Sequence, residues 1–174
     1  GVNHFMGPNN NTRKGYAWML VILAGVAVFS FLLFLFITRW GLGLSDDSYY
    51  YVFPAQDYAN GLGFHPGNHY PPLLPLLMIM PARLGVSLLE AARWMNALLF
   101  GMNLFLVGYL VWYIHRKFFA MLVAVLGLLS LGFFFELHAW LMSEALFLFF
   151  SLLGFLLLAV WLNNLRSGWL ICSG

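Results

Sequence analysis

The six acids of this 174-residue chain fall in two regions: Asp46, Asp47, Asp57 and Glu90 in the first, Glu136 and Glu144 in the second. A carboxylate can take up a proton, ligate a cation, or stabilise a helix N-terminus by ~0.3–1 kcal/mol. Asp46 and Asp47 follow Ser45, a residue type that caps helices, so helix punctuation is the plain alternative to chemistry for this pair. Glu144 stands at the head of an apolar run and carries the same two readings. His65, His69, Glu136 and His138 are further side chains able to ligate a metal. They lie in two separate stretches without compact ligand spacing, and hydrogen-bonded or interfacial histidines account for them better. No Gly-rich phosphate loop of the Walker or Rossmann type occurs.

These groups must be positioned by elements built for a bilayer. Hydrophobic residues make up 63% of the chain and charged ones 8%, an imbalance that a soluble domain of this length could not solvate. Four stretches carry no charge: residues 16–38, 94–114, 118–135 and 145–162. Each has about the length that a helix rising ~1.5 Å per residue needs to cross a ~30 Å hydrocarbon core. Nothing alternates as barrel strands do, so the expected fold is all-α, a polytopic membrane protein with at least four transmembrane helices. The first stretch is followed by Arg39-Trp40 rather than a small-residue cleavage site, and it reads as a retained anchor. Residues 1–15 read as a flexible tail, 39–93 as a long loop, and the segment near Trp169 as the start of a fifth span, so that the chain reads as a fragment.

Charge sorts the loops. Threading the N-terminus on the cytoplasmic side puts Arg13, Lys14, Arg116, Lys117 and Arg166 inside, leaving Arg39, Arg83 and Arg93 outside with all six acids. Acids contribute little to topology, so their gathering on one face points to work done there. The seven tryptophans fall at expected span ends, as amphipathic indoles prefer. A net charge of +2 gives no reason to expect nucleic acid, and the single Cys172 excludes an intrachain disulfide.

The long outer loop is where chemistry is expected, because loops of this size without a function are uncommon. A helix beginning at Ser45 would carry two acids in its first turn, but Pro54 opposes the carbonyl of Tyr50 and predicts a kink or break. Gly61 and Gly63 end this element, and the uncharged run from Pro71 to Ala82 predicts a short re-entrant or interfacial helix. Arg39, Arg83 and Arg93 could each meet a lipid phosphate or a nearby acid such as Glu90. Asn96 and Asn103, seven apart on the second span, predict interhelical hydrogen bonds, and Gly101 and Gly108 predict close helix contact.

The motifs Asp46-Asp47-Ser48-Tyr49-Tyr50, Ala55-Gln56-Asp57-Tyr58-Ala59-Asn60-Gly61, Tyr70-Pro71-Pro72-Leu73, Arg93 and Ser143-Glu144-Ala145-Leu146 follow one another in this order. The chain thereby resembles the lipid-dependent glycosyltransferases of the C-type superfamily (GT-C), notably protein O-mannosyltransferases and the aminoarabinose transferases of lipid A. The resemblance extends from Ser45 to Leu162 and implies transfer of a sugar from a polyprenyl-phosphate donor to a hydroxyl of a lipid, glycan or protein, with inversion. It implies Asp46 as the catalytic base, and Asp47 and Glu144 as groups that bind the acceptor or hold a divalent cation. Arg93 is implied as a substrate-binding residue. His69 and Tyr70 stand where the aminoarabinose branch has an acid and a Lys, so that branch's phosphate and metal contacts do not carry over. His69 remains a candidate for substrate or cation, Tyr70 for substrate. The implied setting is a bacterial or archaeal plasma membrane with the loop outside. The rival expectations are a non-catalytic subunit that binds through this loop and a small transporter, the latter disfavoured because the acids gather at one face rather than within spans.

Overall fold

The computed structural model describes residues 10–66 and 70–172, with side chains for 15–66 and 70–164. The fold is all-helical. Three helices are long and apolar enough to cross a membrane: α1 (Asn10–Ile37), α4 (Leu88–His115) and α7 (Glu144–Cys172). Between them lie α2 (Tyr49–Ala59), α3 (Leu73–Ala82), α5 (Phe118–Ser130) and α6 (Gly132–Ala139). These are the proportions of a membrane protein. Trp169 falls in the continuation of α7, where a fifth span was expected to open, and the tail at residues 1–9 lies outside the described residues.

Helix α4 is the axis. Its mean hydropathy of 1.9, against 3.0 for α1 and 2.6 for α7, is the lowest of the three, and it is also the most buried. The two facts go together, because side chains facing protein tolerate polarity that lipid does not. Glycines let neighbours approach: a Cβ on Gly101 would lie 2.6 Å from the Ala27 carbonyl oxygen of α1, and one on Gly108 would lie 2.5 Å from Leu23. Met19, Leu23, Phe34, Ala97, Phe100 and Leu104 fill the α1–α4 seam around those contacts.

Three further sequence expectations are corrected. The third span, expected unbroken over 118–135, is two helices bent by 63°, so the chain has three candidate spans, or four if the bent pair counts as one. Ser130 Oγ donates to the Leu126 carbonyl at 2.8 Å, Leu131 is extended at φ −83°, ψ 108°, and Gly132 opens α6. A hydroxyl that bonds back to the preceding turn bends helices, and α6 is then held by α4. The second span begins at Leu88 rather than at residue 94, since Ser87 Oγ accepts from the Glu90 N–H at 3.3 Å and Glu90 and Arg93 neutralise each other inside the first turns. Pro54 breaks nothing: α2 runs through it, with Pro54 and Ala55 both buried. One lost backbone bond is outweighed there by packing.

One end of the bundle is closed by a crossing of two loops. Gly43 N–H donates to the Ala139 carbonyl at 2.8 Å, and Leu141 N–H donates to the Gly43 carbonyl at 3.0 Å. A side chain here would push the Trp140 ring aside, because a Cβ at position 43 would sit 2.9 Å from it. The chain segments after α1 and before α7 are thereby tied together, and both acidic motifs follow immediately.

Candidate functional site

Asp46 and Asp47 open a single 3-10 turn, Asp46–Ser48, that leads into α2. Ser48 is the anchor. It is buried, its Oγ donates to the Leu141 carbonyl at 2.8 Å, and the Ser45 N–H donates to that same Oγ at 3.0 Å. With Ser48 turned inward, both carboxylates are left exposed. A base facing an acceptor needs this combination of a fixed backbone and an accessible oxygen.

Tyrosines connect this turn to its surroundings. Tyr70 donates its phenol proton to Asp47 Oδ1 at 2.8 Å, and its ring stacks on Tyr50 with centroids 4.4 Å apart and planes at 9°. Tyr51 meets the same Tyr70 ring edge-on at 5.5 Å. From beneath, Tyr51 donates to Ser143 Oγ at 3.0 Å, beside the exposed Glu144 that starts α7. Asp47, Tyr70, Tyr51, Ser143 and Glu144 thus form one continuous cluster across two loops.

The cluster perturbs its phenols. The hydrogen bond to Asp47 pushes Tyr70 up to about 12, because losing the proton would place two negative charges together. Tyr51 is raised mainly by burial; its bond to Ser143 works against that, while the Glu144 and Asp47 carboxylates push it further up. One phenol senses the charges of both acidic motifs.

Arg93 points elsewhere. Its Nε donates to Glu90 Oε2 at 2.8 Å, a second nitrogen reaches Glu90 Oε1, and a third donates to the Leu35 carbonyl at 3.0 Å near the end of α1. Of the two partners the sequence offered it, the acid is the one it meets. His69 lies outside the described residues. His65 and Glu136 are exposed, and Arg39 lies over the Phe36 and Trp40 rings. His138 is fully buried instead: its ring faces the Phe134 carbonyl through Nδ1 at 2.8 Å and Asn103 Nδ2 through Nε2 at 2.9 Å. The tautomer carrying its hydrogen on Nδ1 satisfies both bonds.

Among the described residues, no three His, Cys, Asp or Glu side chains gather as cation ligands. Asp47 and Glu144 do not by themselves make a protein-built cation site, and no step is derived through a metal. Ser48, Tyr51, Ser143, Asn96 and His138 are the residues whose positioning work sequence reasoning missed or left general. Ser48 and Ser143 sit beside the acids in the motifs, and that adjacency was the one available signal. No family model, no curated protein and no solved structure matches the chain.

Proposed function

We propose that this protein is a glycosyltransferase that moves a sugar from a polyprenyl-phosphate carrier to an acceptor hydroxyl at the outer face of a bacterial or archaeal plasma membrane. The observation that carries the reading is the joining of the two acidic motifs at one end of the bundle, through Ser48 to Leu141 and Tyr51 to Ser143. A membrane-borne donor suits an interfacial cluster of carboxylates and phenols, since the polyprenyl chain stays in lipid while the phosphosugar reaches the polar end.

In this reading Asp46 takes the proton of the acceptor hydroxyl as its oxygen attacks the anomeric carbon. The bond from that carbon to the phosphate oxygen breaks, the phosphate leaves on its polyprenyl chain, and a single displacement inverts the configuration. Asp47, fixed by Tyr70, and Glu144, at the start of α7, would accept hydrogen bonds from acceptor or sugar hydroxyls. The N-terminus, Lys117 and the far end of α7 lie on the cytoplasmic side in this orientation.

The test compares wild type with Asp46→Asn in membranes supplied with radiolabelled sugars on polyprenyl phosphates. Transfer should fall by about 100-fold or more in protein that still inserts, the scale of losing a general base. Equal transfer by both proteins removes Asp46 from the mechanism, and no transfer by either across the donors turns the assignment to a non-catalytic binding subunit.

A further inference from the structure

We infer that the space between Tyr58, near the end of α2, and Arg83, just beyond α3, is a binding site for the phosphate of a membrane phospholipid, separate from the acidic cluster. A cavity of about 400 Å³ lies there, lined by Tyr58, Ala59, Gly61, Gly63, Ile79 and Arg83 among others. Arg83 supplies its charge. The guanidinium donates to the Tyr58 hydroxyl and lies over the Tyr58 ring, 5.1 Å from its centroid, so its direction is set before any ligand arrives. Among the described residues no carboxylate is within ion-pairing reach of Arg83, and Asp57, next to Tyr58 in the sequence, is not in the lining.

Two glycines in left-handed backbone make the turn that borders the cavity. Gly61 and Gly63 hold φ of +78° and +96°, and a Cβ on Gly63 would strike the His65 ring at 2.8 Å. Beside the cavity, α3 buries one face and presents Leu73, Leu76 and Met80 outward on another, with Leu84 just beyond its end. An apolar stripe ending at an arginine fits a lipid, whose chains lie along the stripe while the headgroup phosphate meets the guanidinium.

The donor of the proposed reaction is the wrong occupant. Twelve residues of largely helical chain separate Asp46 from Tyr58, on the order of 18 Å at the α-helical rise. In a sugar phosphate a single oxygen bridges the anomeric carbon and phosphorus, so a separation of that order favours a different occupant for Arg83 over the phosphate of a sugar reacting at Asp46. The site therefore stands whether or not the transferase reading does.

Native mass spectrometry of the full chain, exchanged into mixtures of phosphatidylglycerol and diacylglycerol, tests the assignment. The expected result is one retained phosphatidylglycerol per chain, with retention about tenfold weaker in Arg83→Gln and unchanged in Arg39→Gln. Equal retention by Arg83→Gln and wild type overturns the proposal. So does equal retention of diacylglycerol, which lacks the phosphate and can be compared on wild type alone if the variant does not fold. Inorganic phosphate binding to wild type as tightly as the lipid would make the site a free-anion site and likewise overturn it.

Discussion

Two polar networks, one between α4 and α6 and the other between the Asp46–Ser48 turn, α2 and the start of α7, are built in opposite ways. In the middle of the bundle, Asn96 donates to the His138 and Trp140 carbonyls at 2.8 and 3.0 Å, and Asn103 to His138 Nε2 and the Ala145 carbonyl at 2.9 and 3.1 Å. All three side chains are buried, and the two amide nitrogens are met by backbone carbonyls and the His138 ring, while among the described residues Asn103 Oδ1 has no partner. At the end of the bundle, Asp46, Asp47 and Glu144 are exposed, and their contacts run through phenols and hydroxyls. Buried bonds of the first kind fix where helices lie, because an amide left unpaired away from water is costly. Exposed carboxylates of the second kind contribute little to stability and stay available to a ligand. The inner network holds the frame on which the outer one is displayed.

The contrast is most strongly tested by Gly101→Val. A branched side chain at an atom already 2.6 Å from the Ala27 carbonyl oxygen should force α1 and α4 apart. Overpacking of this kind costs ~1–3 kcal/mol, and the upper end is expected because the obstacle is backbone. Thermal unfolding in detergent should show the loss, while Gly25→Val, where a Cβ meets nothing within 4 Å, should leave the midpoint nearly unchanged.

Asn103→Leu should have the next largest effect, about 1–2 kcal/mol, by leaving His138 Nε2 and the Ala145 carbonyl without their donor. Its unfolding midpoint should fall clearly below that of Asp47→Asn. A variant at position 47 that destabilises as much as the one at 103 would erase the distinction between the networks.

The smallest effect sharpens it. Removing the Asp47 charge should bring Tyr70 down from about 12 toward the ordinary tyrosine value of ~10, read as tyrosinate absorbance in an alkaline titration. The sign follows from the proton. Because the folded value is the higher one, the bond stabilises while the phenol is protonated, is fully present below ~10, and fades as pH rises through about 12. An unchanged Tyr70 titration in Asp47→Asn would mean that the link at 2.8 Å does not hold in solution.

Much of the frame was legible in residue types alone. The charge-free runs located α1, α4, α5 and α7, but counting charge-free residues cut α4 short, because it treated Glu90 and Arg93 as a loop when each cancels the other. The pattern Ser87-Leu88-Leu89-Glu90 carried the missing helix-start signal. Pro54 misled for the converse reason: a local rule about one hydrogen bond lost to the burial of Pro54 and Ala55. The break at Leu131 left only Ser130 and Gly132 as hints, and Asn96, on a different helix, decides where α6 ends. At the candidate site the acids could be named from the sequence. Ser48 could not, since its partner Leu141 is 93 positions away.

The sequence by itself determined that this chain belongs to a bilayer, where its long apolar runs lie, and that its acids keep to two regions. Transfer of a side chain between water and hydrocarbon is nearly additive along a chain, so composition within a window suffices. Only the tertiary structure decided that the Asp46–Asp47 turn and the start of α7 lie side by side, that α5 and α6 bend, and that Tyr58 and Arg83 enclose a cavity. Those outcomes rest on a few directional bonds and close contacts, such as Gly43 against Trp140, between residues remote in sequence. Hydrogen bonds and hard-sphere contacts act over ångströms in space, and no local sum over residues can state which of them will form.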